Sequence, residues 1–117
     1  ACSPKMSLYE MIRRAKTITK KPIEVEVDNL RELKQALEAE PDIILLDNMR
    51  LRQIRKAVML TKKLRKTNRP LLEVSGRVNL RNILSIAKTG VDRISIGGLT
   101  HTIKAIDISL ELIQSYA

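Results

Sequence analysis

Four short apolar or alternating runs recur along the chain, Ile23 to Val27, Ile43 to Asp47, Leu71 to Ser75 and Arg93 to Gly97. Each is followed by a longer stretch with leucine, isoleucine, valine or alanine at three- and four-residue spacing: Leu30 to Ala39, Leu51 to Lys66, Leu80 to Lys88 and Ile106 to Ser115. The first pattern predicts strands and the second predicts amphipathic helices. A further helix, Leu8 to Thr19, opens the series. Strands separated by helices pair in parallel through right-handed crossovers, so the class is α/β. Cap residues agree with these boundaries: Asn29 with Glu32 forms a capping box, Asn48 and Asn79 precede two more helices, and Gly90 ends one. With 117 residues, the chain holds one domain.

Side-chain parity separates an open doubly wound sheet from a piece of a barrel. One set of alternating positions is aliphatic throughout: Val25 and Val27, Ile44 and Leu46, Leu72 and Val74, Ile94 and Ile96. These should face helices. The opposite set reads Glu24 and Glu26, then Ile43, Leu45 and Asp47, then Leu71, Glu73 and Ser75, then Arg93, Ser95 and Gly97. That face turns polar toward the C-terminal end of every strand. A sheet with helices on both sides would bury those charges, whereas a barrel collects them at its mouth. The expected fold is therefore a partial (β/α) barrel, about four parallel strands with crossover helices and an extra N-terminal helix.

Taken singly, each carboxylate has an ordinary structural role: Glu24 at a strand start, Asp47 as a helix cap, Glu73 paired with Arg93. Three acids on one face of successive strands repel one another unless a cation or a polar ligand holds them together. Magnesium or a sugar diol meets that need, and two carboxylates suffice for magnesium held partly through water. The loops Ser75-Gly76-Arg77 and Gly97-Gly98-Leu99-Thr100 are rich in small residues whose amides can cradle a phosphate. A tight turn is the other reading of each glycine. His101, just beyond, reads from its position as a solvent-exposed or capping side chain.

Charge narrows the partners. Lysine and arginine total 22 against 13 acids, for a net charge of +9. Nine basic residues and no acid lie between Met49 and Leu72, which alone accounts for the excess. A solvated helix face explains that stretch better than a nucleic-acid surface. With no Trp or Phe and only Tyr9 and Tyr116, the aromatic platforms for single-stranded bases are missing. One cysteine, Cys2, and one histidine, His101, exclude an internal disulfide and multi-histidine zinc sites. The longest aliphatic run, Ile43 to Leu46, is far too short to span a bilayer and no signal-peptide pattern opens the chain, so a cytoplasmic or organelle-interior protein is expected.

The segments IEVEVDNLRELKQALEAEPDIILLDNM, LLEVSGRVNLRNI and TGVDRISIGGLTHTIKAIDISLEL carry four ordered motifs, EVEV, LDN, EVSG and IGGLTH. From about Leu8 onward the chain resembles the C-terminal barrel portion of quinolinate phosphoribosyltransferase, also called carboxylating nicotinate-nucleotide pyrophosphorylase. The resemblance implies transfer of phosphoribosyl from phosphoribosyl pyrophosphate to quinolinate with loss of carbon dioxide, giving nicotinate mononucleotide for NAD synthesis, with magnesium. By position in the motifs it implies catalytic and metal-holding roles for Glu26 and Asp47, and substrate-binding roles for Glu73, Ser75, Gly76, Gly97, Gly98 and His101. Departures accompany it. The family often carries a second glycine where this chain has Arg77, which either tightens the phosphate loop or adds a cation. The family's N-terminal sandwich domain and earlier barrel strands have no counterpart in these 117 residues. The chain by itself is therefore expected to be inactive, and to associate as a homo-oligomer or with a complementary N-terminal half. A phosphate-ligand or nucleic-acid binding half-barrel without catalysis is the alternative.

Overall fold

In a computed structural model, which describes residues 6–97 and 101–108, the elements run α1 (Leu8–Ile18), β1 (Glu24–Val27), α2 (Leu30–Ala39), β2 (Ile43–Asp47), α3 (Leu51–Leu64), β3 (Leu71–Ser75), α4 (Ile83–Ala87), β4 (Arg93–Ile96) and β5 (His101–Lys104). The strands form one sheet in the order β1-β2-β3-β4-β5. The first four are parallel, as their helical connections require, and β5 runs antiparallel to β4. The expected α/β class and partial barrel hold.

Parity decides where the core sits. Val27, Ile44, Leu46, Leu72, Val74 and Ile94 are buried against Leu33, Ala36 and Leu37 of α2, Ile54, Ala57 and Val58 of α3, and Ile86 and Ala87 of α4. Helices thus cover one face of the sheet. Ile43 and Leu45, on the other face, stay half-buried and Leu71 is 42% exposed. Helix α1 buries Ile12, while Arg13 Nη1 and Lys16 Nζ donate to the carbonyls of Ala39 and Glu40 at the end of α2, at 3.5 and 2.6 Å. Cations near a helix C-terminus satisfy carbonyls that the helix leaves unpaired. At the opposite end of the strands from the loops of interest, two aspartates fasten neighbours together. Asp42 Oδ2 accepts from Ile23 N–H at 2.6 Å, and Asp92 Oδ2 accepts from Leu72 N–H at 2.8 Å.

Several local expectations change. Asn48 does not cap α3: it takes a left-handed φ of 56°, and the N-cap is Arg50, whose N–H donates to Gln53 Oε1 at 3.1 Å. The helix expected over Leu80 to Lys88 is a turn followed by the short α4. Asn79 Oδ1 accepts from the amides of Arg81 and Asn82, and Asn79 N–H donates to Asn82 Oδ1, so side chains hold backbone groups that a longer helix would use. The outer edge of β4 is covered by β5, with Ile96 opposite His101 and Arg93 opposite Lys104. Residues 105–108 are helical, and the rest of the helix expected over Ile106 to Ser115 lies outside the described residues. Arg52, Arg55, Lys56, Lys62 and Lys63 of α3 are exposed, the solvated face that their spacing implies. Among the described residues no helix is long and apolar enough to cross a membrane.

Candidate active site

The uncovered face of the sheet and the loops at its C-terminal end enclose a cavity of about 860 Å³. Glu24 and Glu26 enter it from β1, Leu45 and Asp47 from β2, Glu73 and Ser75 from β3, and Arg93 and Ser95 from β4, with Gly76, Arg77 and Gly97 on the loops above. Every strand contributes alternate residues, because parallel strands in register place the same parity on the same face.

Two groupings result. On the β1–β2 side Glu26 and Asp47 enter from neighbouring strands, and the Asp47 charge is the main cause that pushes the Glu26 carboxyl above its ordinary value of 4.5, with burial, the polar influence of the Asp47 side chain and the charges of Asp28 and Glu32 adding to it. Ser75 Oγ donates to Asp47 Oδ1 at 3.3 Å. Neither Glu26 nor Asp47 lies within ion-pair distance of a basic side chain among the described residues. Deeper in the sheet, Glu73 is 8% exposed and faces Arg93 Nε at 3.3 Å, an ion-pair distance without an aligned hydrogen bond. Burial raises the Glu73 carboxyl above its ordinary value, the Arg93 charge opposes this, and Glu24 adds to it.

The β3–β4 side is built by backbone. Gly76 has φ +76° and Gly97 φ +65°, both in the region where a Cβ is disfavoured. At Gly76 a Cβ would also come within 3.3 Å of the Asn48 backbone nitrogen. That approach brings together the loops after β2 and β3: Asn48 N–H donates to the Ser75 carbonyl at 3.0 Å, Arg77 Nε to Asn48 Oδ1 at 2.7 Å, and Asn82 Nδ2 to the Arg77 carbonyl at 2.5 Å.

Of the residues selected from sequence, Glu26, Asp47, Glu73, Ser75, Gly76 and Gly97 line this one cavity. Gly98 lies outside the described residues, and His101 is placed only by its backbone, at the start of β5. Sequence reasoning left the roles of Arg77 and Asn48 open or misassigned, and did not select Thr102, which lines the cavity from β5. The signals for Arg77 were a bulky residue in a loop of small ones and its departure from the glycine that the resembled family often carries there.

A pH dependence follows from the raised Glu26 carboxyl. A carboxyl whose folded pKa exceeds its unfolded value contributes stability that is fully present below the unfolded pKa and lost as pH rises through the folded one. In the absence of divalent cations, Glu26→Gln is therefore expected to raise the melting temperature slightly at neutral pH, since Glu26 is exposed and solvent screens the repulsion, and to lose that advantage in acid, where the glutamate takes up its proton. Melts at both pH values check this, and an equal difference at both would contradict it.

Comparison with known proteins places the arrangement. Residues 4–111 match the family model for the C-terminal domain of quinolinate phosphoribosyl transferase. The chain is 50% identical over 114 residues to a probable carboxylating nicotinate-nucleotide pyrophosphorylase of Methanocaldococcus jannaschii, covering 93% of this chain and 40% of that protein. It is 44% identical over 93 residues to the carboxylating nicotinate-nucleotide pyrophosphorylase of Mycobacterium leprae, covering 78% of this chain and 31% of the other. Among solved structures it resembles the nicotinate-nucleotide pyrophosphorylase of Francisella tularensis, with a TM-score of 0.70 and 39% identity over 85% of this chain and 35% of that one. It thus spans well under half the length of these relatives. The family match and the fold shared with solved relatives show that this chain belongs to the quinolinate phosphoribosyl transferase family, as part of its C-terminal domain.

Proposed function

We propose that the chain supplies the phosphoribosyl-binding part of a carboxylating nicotinate-nucleotide pyrophosphorylase. The observation that carries this reading is the division of charge within one cavity. Glu26 and Asp47 stand on one side without a basic partner among the described residues, and the glycines Gly76 and Gly97 with Arg77 stand on the other. A ribose phosphate presents hydroxyls and a developing positive carbon to the first side and its phosphate to the second.

In the reaction, the bond from ribose C1 to pyrophosphate breaks, the pyridine nitrogen bonds to that carbon, and the carboxylate beside the nitrogen leaves as carbon dioxide, its bonding electrons staying on the ring carbon, which takes up a proton from solvent. Carboxylates aimed at C1 stabilise the charge that builds as pyrophosphate departs. Glu26 and Asp47 are placed for this, and the Ser75 hydroxyl holds Asp47 in position. The pair also suits magnesium, a cation commonly held through one or two carboxylates with water and substrate phosphates completing its shell. No cluster of three or more metal-ligating side chains occurs among the described residues, so the fit is to that open kind of site. Bound there, magnesium would neutralise the leaving pyrophosphate. Charged, phosphorylated substrates place the reaction in the cytoplasm or an organelle interior. The non-catalytic alternative gains no support, since the basic stretch lies on the exposed face of α3 and a phosphate binder has no use for inward acids.

Titrating isotope-labelled chain with phosphoribosyl pyrophosphate and magnesium tests the reading. Amide shifts are expected at Glu26, Asp47, Ser75 and Gly76. Shifts confined to α3 would instead favour a polyanion surface.

Assembly belongs to the same proposal. Strand β1 has no outer neighbour among the described residues, and Leu71, Ile43 and Leu45 are incompletely covered. Unpaired edges and apolar side chains, each worth about 1.5–3 kcal/mol when buried, drive association with a second copy or a complementary half of the barrel. Sedimentation at micromolar concentration is expected to show a dimer or larger species; a monomer would mean that another part of the chain covers this face.

A further inference from the structure

Arg77 holds φ +57°, in the left-handed region where a side chain is costly and glycine is not. Its strain comes with a fixed geometry. Arg77 Nε donates to Asn48 Oδ1 at 2.7 Å, and Asn48 is itself anchored to the Ser75 carbonyl at 3.0 Å. A guanidinium has five N–H donors in a rigid fork, and this bond uses one. No carboxylate among the described residues lies within ion-pair distance of Arg77, unlike Arg65, Arg69 and Arg93, which are each paired. The side chain lines the same cavity as Ser75, Gly76 and Gly97.

We propose that Arg77 is a phosphate-binding residue of this chain, its Nη groups donating to a phosphate seated against Ser75, Gly76 and Gly97. The proposal rests on the phosphoribosyl reading above and deepens it. Open backbone amides bind a phosphate through partial charges, and an orientable full charge adds bonds that are shorter and about twice as strong. The Asn48 tether holds the guanidinium plane in place before the ligand arrives, so little side-chain freedom is lost on binding. None of the carboxylates that line the cavity lies within ion-pair distance of Arg77, and Glu73 is taken by Arg93, which leaves this cation to the ligand.

The test is a titration of the full chain with inorganic phosphate, followed at the amides of Ser75 and Gly76, for the wild type, Arg77→Gly and Arg77→Lys. Glycine keeps the left-handed backbone, so the loop is retained while the cation is removed. Arg77→Gly is expected to bind phosphate roughly tenfold more weakly, the size of one lost charge-assisted hydrogen bond, with a melting temperature no lower than the wild type. Arg77→Lys should recover part of the affinity. Unchanged affinity in Arg77→Gly would overturn the proposal while leaving the phosphate cradle in place. A loss of affinity accompanied by a lower melting temperature, with no recovery by lysine, would overturn it in favour of a brace for Asn48. Absence of any shift at Ser75 and Gly76 in the wild type is a different failure, which removes the phosphate reading itself.

Discussion

Leu46→Ala is expected to lower the unfolding free energy by about 3–5 kcal/mol, whereas Leu45→Ala, one residue earlier, is expected to cost about 1 kcal/mol or less. Leu46 is fully buried at the centre of the sheet, in register with Val27 of β1 on one side and Val74 of β3 on the other, both buried as well. Removing its side chain leaves a cavity lined by well-packed neighbours that can collapse only partly. Leu45 points the other way, stands in register between Glu26 and Glu73, and is half-exposed to the cavity. A domain of this size has a total stability of about 5–15 kcal/mol, so the first change removes a large share of it. Urea denaturation of both variants with equal slopes measures the difference. Equal losses would mean that both faces of β2 are covered alike, and the assignment of an inner and an outer face would fall.

Mixed with a polypeptide that carries the remainder of the barrel, the chain is expected to convert phosphoribosyl pyrophosphate and quinolinate to nicotinate mononucleotide, and alone to form no detectable product. The cavity is bounded by one sheet and its loops, and a site open on one side cannot exclude the water that competes with the pyridine nitrogen. Nor does the described cavity offer enough free cations for a dicarboxylate: Arg93 is engaged by Glu73, which leaves Arg77. In the active mixture Asp47→Asn should reduce turnover on the order of 10²–10³-fold, the usual scale for removing a charge that faces a developing opposite charge. Turnover by the chain alone would show that the open face is sufficient. A mixture in which Asp47→Asn matches the wild type would take Asp47 out of the chemistry.

How far the site could be read in advance differs from residue to residue. Glu26, Asp47, Glu73 and Ser75 were legible because a strand turns its side chains over every second residue, so aliphatic neighbours on one parity assign the polar ones to the other. The pairing of Glu73 with Arg93 was legible as a possibility, since both lie on the same face of strands expected to adjoin. Asn48 was misread because an asparagine after a strand serves equally as a cap or as a left-handed bridge, and only its neighbours choose. The helix expected over Leu80 to Lys88 was drawn too long for a related reason: Asn79 and Asn82 capture backbone groups locally, and helical spacing of apolar residues carries no trace of that competition. Strand β5 has no clear alternation of its own and is a strand by virtue of pairing with β4.

By itself, then, the sequence determined the α/β class, the parallel pairing of β1 to β4, the split between a packed face and a polar one, and the acids on that polar face. All of these depend on local periodicity and on the short reach of a helical crossover. The tertiary structure decided what meets what. Ser75 reaches Asp47 across 28 residues of sequence and Arg77 reaches Asn48 across 29, and neither distance is encoded in either segment alone. They are set by strand register and sheet twist, which arise only when the helices pack on one face and draw the loops after β2 and β3 together.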